Sequence, residues 1–387
     1  MDDNMPIGGQ RFECRYARQC GGCNLTELGY YDQLAMKQAK VAQLLKPFGR
    51  VEPIRGMENP FHYRNKVHAV FASDRRGRMV SGVYRQGTHQ VVPVENCLIE
   101  DVRADAIIAT VRRLAEEFHF QAYDEDRHTG FLRHMLVRAG KHELMLILVT
   151  SVPEFPSKNA FLNALLAAHP ELTTVVQNTN NRVTSMVLGK RDIVLFGKGY
   201  IEDTLCGKIF RISPQSFFQV NSVQTEVLYR LVAEMANLTG KETVLDAYCG
   251  VGSIGLTLVD RCKSLIGVEL NPQAVRDAQG NTRRNGITNA NFYCDDAGRF
   301  IRQCAMDNYP MDVVLMDPPR SGSDELFLSS LLYLKPRCVV YVSCDPVTLS
   351  RDLGYLQKGG YTLRRAVPVD MFPATEHVET VVLLTYR

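Results

Sequence analysis

Residues 242–258, ETVLDAYCGVGSIGLTL, decide the fold. ETVLDAY reads as a short buried strand, Gly250 and Gly252 turn the chain, and SIGLTLVDRC reads as a helix. A strand that turns on glycines into a helix opens a doubly wound sheet. The alternation then repeats downstream. SLIGVEL is a strand, and PQAVRDAQGNTRRN is a helix with Pro272 near its start and Gly286 just past its end. Strand NFYC and helix GRFIRQCA follow, then strand DVVLMD, helix ELFLSSLLYL, strand CVVYVS and helix VTLSRDLGYL. Upstream, SVQTEVLYRLVAEMANL puts Val223, Val227, Leu228, Leu231, Val232 and Met235 on one helical stripe. The last two runs, YTLRRAVPVDMF and HVETVVLLTYR, read as a hairpin added at one edge. The expected fold is α/β, Rossmann-like and mostly parallel, with an antiparallel C-terminal hairpin. Such sheets bind ligands beyond the carboxyl ends of their strands, near the switch point.

Gly250, Gly252 and Gly255 match G-x-G-x-x-G, the dinucleotide fingerprint. Asp246 argues against that ligand. A carboxylate four residues before the first glycine repels a pyrophosphate and suits an ammonium or sulfonium. Glu269 comes seventeen residues after Gly252, at the end of the second strand, where it can accept from both ribose hydroxyls. Asp296 follows the third strand, in reach of an adenine edge. Together these favour S-adenosylmethionine over NAD. Glu269 and Asp296 read one at a time are also compatible with solvated loop acids.

The fourth strand ends in Asp317-Pro-Pro-Arg320, and the fifth in Ser343-Cys344-Asp345-Pro346. Asp-Pro-Pro suits a methyltransferase that acts on a planar base. Enzymes that methylate an exocyclic amine usually follow it with an aromatic residue, and here Arg320 follows. That turns attention to Cys344, which is either a small buried filler or a nucleophile. Carbon 5 of uracil attacks a methyl donor only after the ring is activated. A thiolate that adds to carbon 6 does this, and a base must then take the carbon-5 proton. Glu379 in His377-Val-Glu379 is the candidate base, with Glu376 as its rival.

These motifs resemble those of the RNA 5-methyluridine (uracil-C5) methyltransferases, in particular the enzymes acting on 23S ribosomal RNA. The resemblance runs through Ser213-Pro-Gln-Ser-Phe-Phe-Gln219-Val-Asn221, Asp246 to Gly252, Asp317 to Arg320, Tyr341-Val-Ser-Cys344-Asp-Pro, Asp370-Met-Phe-Pro and His377-Val-Glu379, and so covers most of the chain. It implies a class I S-adenosylmethionine-dependent methyltransferase fold, with Cys344 as nucleophile and Glu379 as base. It places Gln219, Tyr248, Ser253, Glu269, Asp296 and Asp317 around the methyl donor, with Gln219 and Asp317 near the target base as well. Ser253 and Asp345 stand where some relatives carry asparagine, and neither change removes a catalytic group. The implied substrate is a single-stranded or flipped-out uridine in 23S rRNA, and the T-loop uridine of tRNA is the alternative. Amine methylation of RNA, and RNA binding without catalysis, stay open at this point.

Cys14, Cys20 and Cys23 form a tight cluster, and Cys97 is the best fourth ligand. The spacing lacks the paired C-x2-C knuckles usual for zinc. The resemblance implies a [4Fe-4S] cluster on these four thiolates, structural and RNA-positioning in role; zinc and a metal-free loop are the alternatives. Residues 1–25 are then an iron–sulfur cysteine segment. Residues 26–57 hold an amphipathic helix, within 27–46, with Leu34, Val41 and Leu45 inward, and a linker. Residues 58–212 form a β-rich α+β module for RNA with one helix near 158–168, and residues 213–387 form the catalytic domain. Tyr63-Arg64-Asn65-Lys66 and the turn Ser73-Asp-Arg75-Arg76-Gly-Arg78 offer contacts to phosphate or merely solubility. Relatives often carry an N-terminal β-barrel, the TRAM domain, and none is expected ahead of Cys14. The acidic start, MDDNMPIGGQ, is not a secretory leader, and no apolar run is long enough for a membrane helix, so a cytoplasmic protein is expected. A net charge of +3 neither demands nor excludes a nucleic-acid partner.

Overall fold

The computed structural model describes residues 11–386; residues 1–10 of the expected cysteine segment lie outside them, as does Arg387. One helical turn, α1 (Ala17–Cys20), and a long helix, α2 (Tyr30–Leu45), lead in. The first sheet is built from β1 (Lys66–Ser73), β2 (Met79–Tyr84), β3 (Val91–Pro93), β4 (Leu132–Ala139), β5 (Leu144–Thr150), β6 (Leu172–Thr179) and β7 (Arg191–Phe196). Its order is β3-β2-β1-β4-β5-β6-β7. Helices α3 (Val102–Glu117) and α4 (Lys158–Ala168) join its apolar core. Only β5 and β6 pair in parallel among its strands, and α4 is the crossover that such a pair requires.

Helix α3 corrects the expectation of one helix in this module. Asp101 caps it by accepting from Arg103 N–H, and Ala104, Ile107, Ile108, Val111 and Leu114 make a regular buried stripe. The stripe carries the helical period in the sequence, between strand-like runs on both sides that give the module its β-rich character.

A short hairpin, β8 (Ile201–Leu205) and β9 (Lys208–Ile212), leads to α5 (Ser222–Ala236). The second sheet then alternates as expected. It runs β10 (Thr243–Ala247), α6 (Ser253–Leu258), β11 (Ser264–Glu269), α7 (Pro272–Arg284), β12 (Ala290–Cys294), α8 (Ala297–Met306) and β13 (Val313–Met316). It continues with α9 (Glu325–Leu334), β14 (Cys338–Ser343), α10 (Pro346–Lys358), β15 (Tyr361–Val369) and β16 (Glu379–Tyr386). The order is β12-β11-β10-β13-β14-β16-β15, with β10 to β14 parallel and β16 antiparallel to both its neighbours. Chain order reverses at β10, which lies between β11 and β13, so the switch point opens there.

Two faces differ from the sequence reading. On α2, Val41 and Leu45 are buried, but Tyr30, Gln33 and Lys37 complete the inner face and Leu34 is only half-buried. The polar pair is tolerated inside because both side chains find partners in the loop after β15. On α5, Val223 is 64% exposed. Gln224 and Thr225 take its place, since Gln224 Nε2 donates to the carbonyls of Arg55 and Asp370. One apolar cluster joins Leu136 and Ile147 of the first sheet to Leu228, Val244 and Leu256 of the second. The two sheets therefore share a core.

Candidate active site

Register brings the site together. Ala247 of β10 pairs with Val268 of β11 and with Met316 of β13. Met316 in turn pairs with Tyr341 of β14. The residues that follow these strands, Tyr248, Asp317 and Cys344, therefore share one edge with Glu269. The antiparallel pair Ser343↔Thr380 then sets Glu379, the first residue of β16, beside Cys344. A one-residue slip would turn Glu379 to the other face of the sheet.

A single cavity of about 920 Å³ opens at this edge. Cys344, Glu379, Gln219, Tyr248, Ser253, Glu269, Asp296 and Asp317 all line it. Each is held differently. Tyr248 sits at φ +62 and its hydroxyl is 3.0 Å from Ser323 Oγ. Ser253 Oγ lies 2.6 Å from the Tyr229 hydroxyl. Glu269 Oε2 accepts from Gly250 N–H (3.1 Å) and its Oε1 from Asn271 N–H (2.7 Å), so each oxygen keeps a lone pair for a ligand hydroxyl. Asp296 caps α8 by accepting from Arg299 N–H. The carbonyl of Gln219 accepts from Asn65 Nδ2 at 3.0 Å, which ties the 213–221 loop to the strand start at β1. Behind the glycine turn, Gly255 N–H donates to Asp246 Oδ2 at 2.9 Å, and a Cβ on Gly255 would stand 2.7 Å from that oxygen. Asp246 Oδ1 is buried without a partner.

Among the described residues the cavity wall carries seven carboxyl groups and one guanidinium, that of Arg320. Burial raises Asp246 and Asp317 to about 7 each, and raises Glu379 to about 8. Asp317 pushes Glu379 further in the same direction and Arg320 opposes it. The Cys344 thiol is pushed up to about 11, first by burial, then by Glu379 and Asp317, again against Arg320. A cavity with this charge suits a cationic ligand and repels a pyrophosphate. The rival acid, Glu376, is exposed and outside the cavity wall. Sequence reasoning gave no role to Phe372, which also lines the cavity; the only signal was its place in the Asp370-Met-Phe-Pro motif.

The four N-terminal cysteines meet elsewhere. Cys14, Cys20, Cys23 and Cys97 line one small cavity whose other walls are Phe12, Tyr16, Ala17, Thr26, Val94, Leu98 and Ile99. Among the described residues, no three of His, Cys, Asp or Glu close around a point fit for a metal ion. Backbone amides face two of the sulfurs, from Gly22 at Cys20 and from Ile99 and Glu100 at Cys97. Of the basic groups, Arg78 is bonded to Asp74 through both Nε and Nη2. Lys66 is lowered to about 8 by burial, Arg138 and Arg64. No described helix is long and apolar enough to cross a membrane.

The sheet order and the cavity at the switch point define a class I methyltransferase fold. The same fold is seen in the crystal structure of the Pyrococcus abyssi tRNA (uracil-54, C5)-methyltransferase in complex with S-adenosyl-L-homocysteine. That likeness has a TM-score of 0.79 at 28% identity and covers 94% of this chain and 86% of that one. The family described as tRNA (Uracil-5-)-methyltransferase matches residues 29–387, and the chain belongs to it. A Bacillus cereus protein described as an uncharacterized RNA methyltransferase is 43% identical over 380 residues, covering 96% of this chain and 82% of its own. A Halalkalibacterium halodurans protein of the same description is 42% identical over 381 residues, covering 97% and 83%.

Proposed function

We propose that this chain methylates carbon 5 of a uridine in RNA, with S-adenosylmethionine as methyl donor, Cys344 as nucleophile and Glu379 as base. The observation that carries the reading is the juxtaposition of Cys344 and Glu379 by strand register, in one acid-lined cavity with Asp317. An amine methyltransferase has no use for that pair. Family membership and the Pyrococcus abyssi likeness support the same chemistry.

The residues divide the work. The Cys344 thiol gives its proton to solvent, the thiolate adds to carbon 6, and the ring electrons move onto the carbon-4 carbonyl as an enolate. Carbon 5 of that enolate takes the electrophilic methyl group that S-adenosylmethionine, when bound, would supply together with a positive charge among the carboxylates, and the neutral thioether is the leaving group. Glu379 then removes the carbon-5 proton; the double bond re-forms and the thiolate leaves. Gln219, Tyr248, Ser253, Glu269, Asp296 and Asp317 hold the donor, and Gln219 and Asp317 also face the base. Arg320 is the chain's own cation beside the thiol. Phosphates are kept out by the acids, so the uracil enters flipped from its strand while the backbone stays at the rim. In this reading Arg64, Lys66 and the module over residues 58–212 meet that backbone.

The cysteine pocket belongs to the same proposal. Its donor set fits a [4Fe-4S] cluster: four thiols, otherwise apolar or hydroxyl-bearing walls, and amides aimed at sulfur. A cluster takes one thiolate on each of its irons, so its ligands spread around a cavity and not around one ion. Cys14, Cys20, Cys23 and Cys97 would hold it, and it would supply a rigid covalent hub for the N-terminal segment.

The motif resemblance favours 23S rRNA as substrate. The Pyrococcus abyssi likeness favours a second reading, the T-loop uridine of tRNA. One experiment tests both. Unmodified 23S and tRNA transcripts carrying 5-fluorouridine are incubated with S-adenosylmethionine and the protein, then run on a denaturing gel. Fluorine at carbon 5 cannot leave as a proton, so the true substrate stays joined to the enzyme. The shifted band is expected with 23S RNA and absent with Cys344→Ala. A band with tRNA alone moves the substrate, and no band with either RNA overturns the chemistry.

A further inference from the structure

The loop that delivers Glu379, residues 370–378, is bonded along its length to the N-terminal part of the chain. Asn24 and Leu25, directly after Cys23, both donate N–H to the carbonyl of Ala374 (3.1 and 3.0 Å). Asn24 grips the loop again, since its Oδ1 accepts from Glu376 N–H at 2.9 Å. Gln33 Oε1 accepts from Ala374 N–H at 2.9 Å, while its Nε2 donates to the carbonyls of Leu25 and Leu28. The Tyr63 hydroxyl donates to the carbonyl of Pro373 at 3.0 Å. Further back, Lys37 Nζ donates to Asp370 Oδ1 (2.6 Å) and to the Phe372 carbonyl (3.1 Å).

The contact at Ala374 is also strained and packed. Its φ is +67, a left-handed conformation that a residue with a Cβ rarely keeps without outside support. Ala374 is fully buried in an apolar cluster with Phe12, Tyr30 and Tyr63, against which Cys23 and Cys97 pack. From Glu376 the chain runs only two further residues to Glu379. The cysteine pocket and the base are two ends of one stiff connection.

We propose that the segment after Cys23 is a strut that positions Glu379, and that Asn24 is its positioning residue. The inference rests on the reading of Glu379 as the base. Its consequence is specific to one step. Addition of Cys344 and methyl transfer use β14 and the donor side of the cavity, and no described hydrogen bond of Asn24 reaches either. Removal of the carbon-5 proton needs Glu379 in place. A slack strut therefore stalls the reaction after methyl transfer, with Cys344 Sγ still bonded to carbon 6 and the proton still on carbon 5.

Asn24→Ala tests this, because the Asn24 side chain is exposed and its loss disturbs no core. The full-length protein is mixed with RNA transcript and methyl-labelled S-adenosylmethionine in a single turnover. Label joined to protein is separated from label in free RNA on a denaturing gel, and RNA affinity is measured alongside. Labelled adduct is expected to build up in Asn24→Ala, with release slowed about tenfold, a part of the 10²–10⁴ that a positioned base contributes. RNA affinity and the rate of labelling are expected to hold. Asn24→Asp keeps the acceptor for Glu376 N–H and restores release, and Glu379→Gln shows the full block at the same step. Unchanged release in Asn24→Ala overturns the strut, and so does equal slowing of labelling and release, or weaker RNA binding without adduct. A wild-type protein that traps no 5-fluorouridine RNA removes the base assignment itself, a failure that these variants alone would not produce.

Discussion

Cys344 and Cys23 are both half-buried thiols, both raised by burial, and they differ in what surrounds them. Next to burial, the groups that raise Cys344 are the carboxylates Glu379 and Asp317, with Arg320 opposed. Those that raise Cys23, to about 12, are first two other cysteines, Cys20 and Cys14, and last the Glu100 carboxylate, with Arg64 opposed. A thiol among carboxylates is released by a positive charge that arrives and leaves with each turnover. A thiol among thiols is released by a resident metal that all of them share. In the function proposed above, one residue type serves chemistry in one cavity and architecture in the other, and the neighbours decide which.

The sharpest way to break this comparison is to remove one thiol from each cavity. Cys344→Ala is expected to lower methyl transfer by on the order of 10⁴-fold or more, as loss of a covalent nucleophile does, and to keep the visible iron–sulfur absorption. Cys97→Ala is expected to lose that absorption and still trap 5-fluorouridine RNA through Cys344. If Cys97→Ala abolishes trapping while its fold is retained, the two sites are not separable in this way.

Much of this contrast was legible in the chain. Tyr248, Glu269, Asp317 and Cys344 each stand at the carboxyl end of a strand, and the doubly wound order alone puts those ends on one edge. Glu379 was favoured over Glu376 by the motif resemblance, but the geometric reason was not legible, because it depends on the pairing of Ser343 with Thr380. The buried Gln33 and Lys37 were also out of reach. Periodicity marks an apolar face, and here two polar residues occupy one because their partners lie 341 and 333 residues away. Helix α3 was legible and was passed over.

Lys37, bonded to the carbonyl of Phe372 in the wall of the larger cavity, gives the next test. Its pair with Asp370 is 2.6 Å long and neither side chain is exposed. Burial lowers the lysine and Asp370 holds it up, while the Tyr30 hydroxyl donates to the second Asp370 oxygen at 2.9 Å. Lys37→Met leaves that carboxylate buried without its cation, and the expected cost is about 3–5 kcal/mol in chemical denaturation. The double variant Lys37→Met, Asp370→Asn is expected to lose less than Lys37→Met alone, since no bare charge remains. Equal losses would mean that the lysine acts through packing, not charge.

The smallest effect expected is a shift in pH dependence, and it bears on why an acid-lined cavity holds a nucleophile at all. Glu379 must be ionised to take a proton, and its folded value near 8 leaves it mostly protonated at neutral pH in the free enzyme. The active form therefore grows as pH rises, and because the Cys344 thiol must also lose its proton, kcat/KM is expected to climb at least about tenfold per pH unit between about 6 and 7.5. Arg320 opposes the rise at both Glu379 and Cys344. Arg320→Gln removes that opposition, so both groups hold their protons to higher pH and the profile is expected to move up by about one unit or less. A profile that moves down, or stays while the rate falls at every pH, would mean that Arg320 serves RNA binding and that the electrostatic balance around Cys344 is set by the bound donor alone.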